Sequence, residues 1–153
     1  MKGYILLIAI VLAPGWGSSL QATRSLDPQK PQEGRAYLPT KLNILSASFR
    51  RKFTSTVWDG EALQFEESFV GQPPRKEKIT PSKKSWKKFW KEMDAIGIWK
   101  WNAEYIDNQL ADGDSWEVLL EHGDKRIHSR GSNKYPPQFE RFEKAVLELR
   151  GER

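Results

Sequence analysis

Few side chains in this sequence have the type and spacing that chemistry requires. The 153 residues hold two histidines, His122 and His128, and no cysteine. A zinc site needs three or four ligands held close together. The histidines therefore read as exposed imidazoles on the face opposite Leu120 and Ile127, and no metal is expected. Asp112, Asp114 and Glu117 could offer oxygens to calcium, but they lack the alternating acids and distal glutamate of a calcium loop, so a solvated turn is expected. Ser129 and Ser132 stand near His128 in sequence. That is not a triad, because triad partners converge in space around an orienting carboxylate. Asp59, Glu67, Asp112 and Glu117 could pair for glycoside hydrolysis, a signal that any charged domain carries. There is no Gly-x-Ser-x-Gly elbow and no Gly-rich phosphate loop. No catalytic residue and no cofactor is assigned.

Three groups of residues are candidates for binding instead. Trp99, Trp101 and Tyr105 alternate, so a strand would put them on one face. Exposed, that row would stack on sugar rings or a proline-rich peptide. Buried, it is core, and core is the reading preferred here, since aromatic side chains bury large areas. The second group is the run Gly131-Ser132-Asn133-Lys134-Tyr135-Pro136. It reads as a tight strand-to-helix turn with Tyr135 packed down. In its ligand version Ser132, Asn133 and Tyr135 border free amides at a helix start, which can hold an anion. The third is basic charge. Residues 71–91 carry eight Lys and Arg against one acid, Glu77. Lys83, Lys84, Lys87, Lys88 and Lys91 fall on one side of a predicted helix. They are candidates for contact with an anionic surface, and otherwise form a solvated face.

The elements that would position these groups follow from periodicity. Leu45, Ala47, Phe49, Phe53 and Val57 lie on one face of a period-two strand interrupted by Arg51. A three-residue Trp58-Asp59-Gly60 loop would set Phe53 opposite Phe65 and Phe49 opposite Phe69, with Gly60 in the left-handed position. Residues 71–79 read as a loop. Thr80-Pro81 opens a helix with Trp86, Phe89, Trp90, Met93 and Ile96 on its apolar side, closed by Gly97. Residues 98–105 read as an extended edge. A second hairpin turns at Gly123-Asp124, with Leu120 opposite Ile127. Pro136-Pro137 then starts a helix with Phe139, Phe142, Val146 and Leu149 inward, closed by Gly151. Shifting one helix by 53 positions superposes the apolar residues of the other, which suggests two hairpin–helix units. The expected fold is α+β: an antiparallel sheet of four or five strands with two helices on one face. Phe53, Trp86, Val118 and Phe142 are expected to share one interior.

One string spans much of this domain: Trp86-x-x-Phe89, Ile98-Trp99-x-Trp101-x-x-x-Tyr105, Asp112-Gly113-x-x-Trp116, and Gly131-Ser132-Asn133-x-Tyr135-Pro136-x-x-Phe139-x-x-Phe142. Over roughly residues 85–150 it resembles a set of small exported bacterial proteins with no assigned activity. The resemblance implies a fold module and no chemistry.

The N-terminus addresses the chain. Met1-Lys2 is a short positive region, residues 4–13 are an unbroken apolar run, and Ala22 is a small residue suited to cleavage. Cleavage after Gly17 or Ser19 is an alternative. The apolar run is half the roughly 20 residues that a spanning helix needs. Residues 1–22 therefore read as a signal peptide, 23–42 as a flexible linker and 43–150 as a single α+β domain. The expected location is secreted or periplasmic. With a net charge of +5 at pH 7, partners to consider are envelope polysaccharide, anionic lipid or an acidic protein. Nucleic acid is disfavoured by export. The expectation is a non-catalytic envelope or periplasmic binding module for an anionic or polysaccharide partner. The alternatives are a small hydrolase of envelope polymers or an inhibitor of an exported enzyme.

Overall fold

The structure, a computed structural model, describes residues 34–49, 51–107, 109 and 113–152. The expected signal peptide and the first part of the expected linker lie outside the described residues. The chain runs β1 (Lys41–Ser48), β2 (Lys52–Trp58), β3 (Leu63–Phe69), β4 (Arg75–Ile79), α1 (Lys83–Ile96), a 3-10 turn (Ile98–Lys100), β5 (Glu104–Ile106), β6 (Ser115–His122), β7 (Lys125–Ser132) and α2 (Phe139–Arg150). The strands form one seven-stranded sheet in the order β4-β3-β2-β1-β6-β7-β5. Every neighbouring pair is antiparallel except β5 and β7, which are parallel. The α+β class stands, but the sheet of four or five purely antiparallel strands is corrected to a larger, mixed one.

Each extra strand has a local cause. The segment read as one long strand is a hairpin, β1–β2, with Phe49 and Arg51 in its turn. Its last loop residue, Arg51, has φ 59° and donates its N–H to the Ser48 carbonyl at 2.8 Å. A three-residue hairpin wants a left-handed residue there, normally glycine. With arginine in that place the turn carries no signal in its composition. β4 (RKEKI) lies in the segment 71–79 expected to be a loop; its residues are charged and follow two prolines, and charge is how an edge strand resists pairing with other chains. β5 is only three residues long and pairs with β7 through Tyr105 and Gly131.

The β2–β3 turn also departs from expectation. Its loop is the four residues Asp59-Gly60-Glu61-Ala62. Asp59 Oδ1 accepts the N–H groups of Glu61 and Ala62, each at 2.8 Å. Thr56 consequently faces Phe65 and Phe53 faces Ser68, in place of the expected Phe53–Phe65 and Phe49–Phe69 pairs. The β6–β7 hairpin is as read: Leu120 faces Ile127 across Gly123-Asp124, with Gly123 at φ 61°.

Both helices pack on one face of the sheet and share one core with it. α1 is capped by Ser82, whose Oγ accepts the Ser85 N–H at 3.0 Å, and ends at Gly97 at φ 69°. Thr80 and Pro81 precede the cap. α2 starts at Phe139, after Pro136-Pro137 and a left-handed Gln138, and ends at Gly151. Trp86, Val118 and Phe142 lie together in the interior, but Phe53 is 50% exposed. The alternation of Leu45, Ala47, Phe53 and Val57 is real; their face is the one the helices leave uncovered. The core face of β1 and β2 is instead Leu42, Ile44, Thr56 and Trp58. The expected two-unit repeat fails as well: four strands precede α1, and three separate it from α2. β1 also begins inside the expected linker, with Leu42 fully buried.

Candidate binding surfaces

With both helices on one face, odd-numbered positions of β1, β6 and β2 point to the other. Residues facing each other across the strands then line up in rows. One row reads Ile106, Ser132, Ser115, Ala47, Phe53 and Ser68. Beside it runs Glu104, Arg130, Glu117, Leu45, Ser55 and Glu66. In the first row small residues separate two large ones. Ile106 and Phe53 are four strand spacings apart, about 19 Å, and Ser132, Ser115 and Ala47 make a low floor between them. The result is a trough of about 530 Å³ running across the strands. Its apolar walls are open to solvent: Leu45 is 37%, Ile106 45% and Phe53 50% exposed.

The charged groups bordering the trough are engaged with one another. Arg130 donates to the Glu104 carboxylate, a neighbour across the β5–β7 rung. Glu117 Oε1 lies 2.6 Å from His128 Nε2. Glu66 pairs with Lys76 at 3.2 Å. The edges of the sheet do not invite strand addition: β4 is charged along its length and β5 is very short. The face, rather than an edge, is what the fold leaves available.

The sequence-predicted residues scatter. Trp101 is 8% exposed and packs among Trp116, Phe139 and Phe142. Trp99 is half-buried on the Trp90 ring, and its Nε1 donates to Asp94 Oδ1 at 2.6 Å. The Tyr105 hydroxyl accepts the Asn102 N–H at 3.0 Å. The expected alternating row does not form, because a 3-10 turn replaces the strand at residues 98–100. Ser132 joins the trough floor. Asn133, left-handed at φ 54°, accepts the Asp114 N–H through Oδ1 at 2.9 Å. Tyr135 donates its hydroxyl to Asp114 Oδ2 at 3.2 Å and lies over Trp116 and Phe139. Burial, with the Asp114 carboxylate second, pushes the Tyr135 phenol above its usual value and keeps it a neutral donor. Asn133 and Tyr135 thus fasten the start of β6 to the end of β7.

The histidines are on opposite faces. His128 lies on the open one, as read. His122 has the same parity as Leu120 and so belongs to the helix side, where it stacks on Trp90 with ring centroids 4.1 Å apart. Among the described residues no cluster of three metal-ligating side chains exists. The lysines of α1 turn outward from its buried side. Lys88 pairs with Glu148 at 2.6 Å, and Lys83 stands over the Tyr37 ring at 5.4 Å. Among the described residues Lys84, Lys87 and Lys91 form no ion pair.

Sequence reasoning missed Leu45, Ala47, Phe53, Ser55, Ser115 and Ile106 as one surface. Their signal is small residues at matching parity in distant strands, visible only once β1 is known to lie beside β6. Comparison with protein-family models, curated proteins and solved structures returns no match.

Proposed function

We propose that this protein is a non-catalytic binding module of the cell envelope or periplasm, and that the uncovered sheet face is its recognition surface. One observation carries the reading: Leu45, Phe53 and Ile106 stand exposed around a trough with a serine and alanine floor. Single exposed apolar residues are ordinary, but a contiguous apolar trough with a polar rim marks an interaction site. The partner it fits is elongated. Its apolar groups lie against Leu45, Phe53 and Ile106, and its hydrogen-bonding groups run along Ser55, Ser115 and Ser132. Of the carboxylates at the rim, Glu66 pairs with Lys76 and Glu104 with Arg130, and Glu117 is hydrogen-bonded to His128, so each is engaged with a neighbour rather than aimed into the trough as catalysis would need. The 131–135 segment is tied down through Asp114, so it does not present a protruding inhibitory loop. Export is supported by the composition of residues 1–22 and by the resemblance of residues 85–150 to exported bacterial proteins. No helix among the described residues is long and apolar enough to cross a membrane.

The test places a photo-crosslinking benzoylphenylalanine at Leu45 or Ser55, and at Glu140 on α2 as a control, in cells that make the protein. A discrete adduct from the two sheet positions, absent from the Glu140 control and found in the envelope fraction, is the expected result. Equal labelling at all three positions, or none at the sheet, would overturn the reading.

A further inference from the structure

On the opposite side of the molecule, we infer that the lysine ridge of α1 and the pocket at its base bind a linear anionic polysaccharide. This inference is independent of the sheet-face reading. From Lys83 to Lys91 the helix carries five lysines and no acid. At 100° per residue they occupy about 140° of its circumference, opposite Trp86, Phe89, Trp90, Met93 and Ile96.

The structure shows where the positive excess of residues 71–91 goes. On β4 it is neutralised: Arg75 pairs with Glu77, Lys76 with Glu66 and Lys78 with Glu61. The acids at the end of α1 are also taken, Glu92 by Arg141 and Asp94 by Lys125. Lys84, Lys87 and Lys91 are left as an uncompensated group. Such crowding is unfavourable for the helix itself, because like charges four residues apart repel and a first turn favours acids. A ridge maintained at that cost points to an external anion.

Geometry selects the kind of anion. Lys83, Lys87 and Lys91 are spaced about 6 Å apart along the axis, a ladder for repeated charges on a chain. A pocket of about 390 Å³ opens beside its first rungs, lined by Tyr37, Lys83, Lys87, Trp90 and His122. Its half-buried Tyr37 ring stands beside Lys83 and Lys87, which suits a sugar ring bearing a carboxylate or sulfate. A lipid surface fits less well. α2 shares the helix layer and turns Glu140 and Glu143 outward, and α1 exposes no large apolar side chain to enter a bilayer. Single-stranded nucleic acid is held through stacked bases, but Trp86, Phe89 and Trp90 of α1 all point inward.

The experiment measures binding of a heparin decasaccharide to the full chain across a salt series. Parallel arms use uncharged dextran, vesicles containing phosphatidylglycerol, and single-stranded and duplex oligonucleotides. Lys84→Gln/Lys87→Gln/Lys91→Gln is compared with Arg75→Gln/Lys76→Gln/Lys78→Gln, which removes the same net charge from β4. The α1 triple variant is expected to bind heparin about a hundredfold more weakly, at roughly tenfold or less per lysine, with a shallower salt slope. The β4 triple variant should change less than threefold. Tyr37→Ser should weaken heparin binding without affecting vesicle association. The α1 variant should also melt at or above the parent temperature, which shows that lost binding is not lost fold. Equal losses in both triple variants would reduce the effect to net charge and overturn the inference. So would tighter binding to vesicles or nucleic acid than to heparin.

Discussion

Replacing Gly131 by alanine tests the packing that holds the two halves of the sheet's β6–β7–β5 side together. Gly131 lies in β7 directly across from Trp116. A Cβ on Gly131 would stand 2.3 Å from Trp116 Nε1, 2.4 Å from Cε2 and 2.6 Å from the Lys134 carbonyl oxygen. None of these neighbours is free to retreat. The Trp116 ring is 5% exposed and packed against Trp101, Tyr105 and Phe139. Its Nε1 donates to that same Lys134 carbonyl at 2.9 Å. Overpacking of this kind costs about 1–3 kcal/mol. Losing the indole hydrogen bond adds about 1 kcal/mol. Reduced entropy of the unfolded chain returns roughly 0.5 kcal/mol. The expected net loss is about 2–3 kcal/mol, or a fall in melting temperature near 10 °C for a domain of this size. Urea unfolding followed by tryptophan fluorescence and far-ultraviolet circular dichroism measures it, with the denaturant slope expected to stay constant. Ser132→Ala, whose side chain points to the trough, is the control and should change stability by less than about 0.5 kcal/mol. In a Trp116→Phe background the Gly131→Ala penalty should shrink but not vanish, since the two indole atoms are gone and the Lys134 carbonyl remains. A Gly131→Ala protein as stable as its parent would refute the reasoning, and the Gly-Ser-Asn-x-Tyr-Pro run would need another explanation.

Two further outcomes are expected. Arg51→Gly should raise stability by roughly 0.5–1 kcal/mol, because a left-handed conformation costs an L-residue about 1–2 kcal/mol and glycine gives back only part of that in entropy; a lower urea midpoint would contradict the turn geometry at φ 59°. Glu67 has its carboxyl held below the ordinary range, first by a hydrogen bond from Lys52, with which it pairs at 2.5 Å. A lowered folded value means that the ionised form favours the fold, so the contribution is present above the unfolded value of 4.5 and fades as pH falls through the folded one. Glu67→Gln should therefore be less stable than the parent at pH 7, by under about 1 kcal/mol for so open a pair, and indistinguishable from it in strong acid. A difference that grew on acidification would show the sign to be wrong.

Much of the local architecture was legible along the chain. The buried faces of α1 and α2, their glycine stops at Gly97 and Gly151, and the Gly123-Asp124 hairpin all follow from contacts within a few residues, which periodicity and turn chemistry encode directly. The β1–β2 turn was not legible, because its left-handed residue is an arginine and the alternation runs through it without a break. β4 was hidden by the same charges that protect it as an edge. Alternation placed Leu45, Ala47, Phe53 and Val57 on one face, but a strand's period says only that two faces differ. Which one becomes interior is decided by where the helices land, and that depends on β1 pairing with β6 some seventy residues away. The sequence alone therefore determined the elements and the charge they carry. Tertiary structure alone decided that the serines and alanine of four strands form one trough, and that Lys76 and Lys78 of β4 face acids across the hairpin while Lys84, Lys87 and Lys91 of α1 form no ion pair among the described residues.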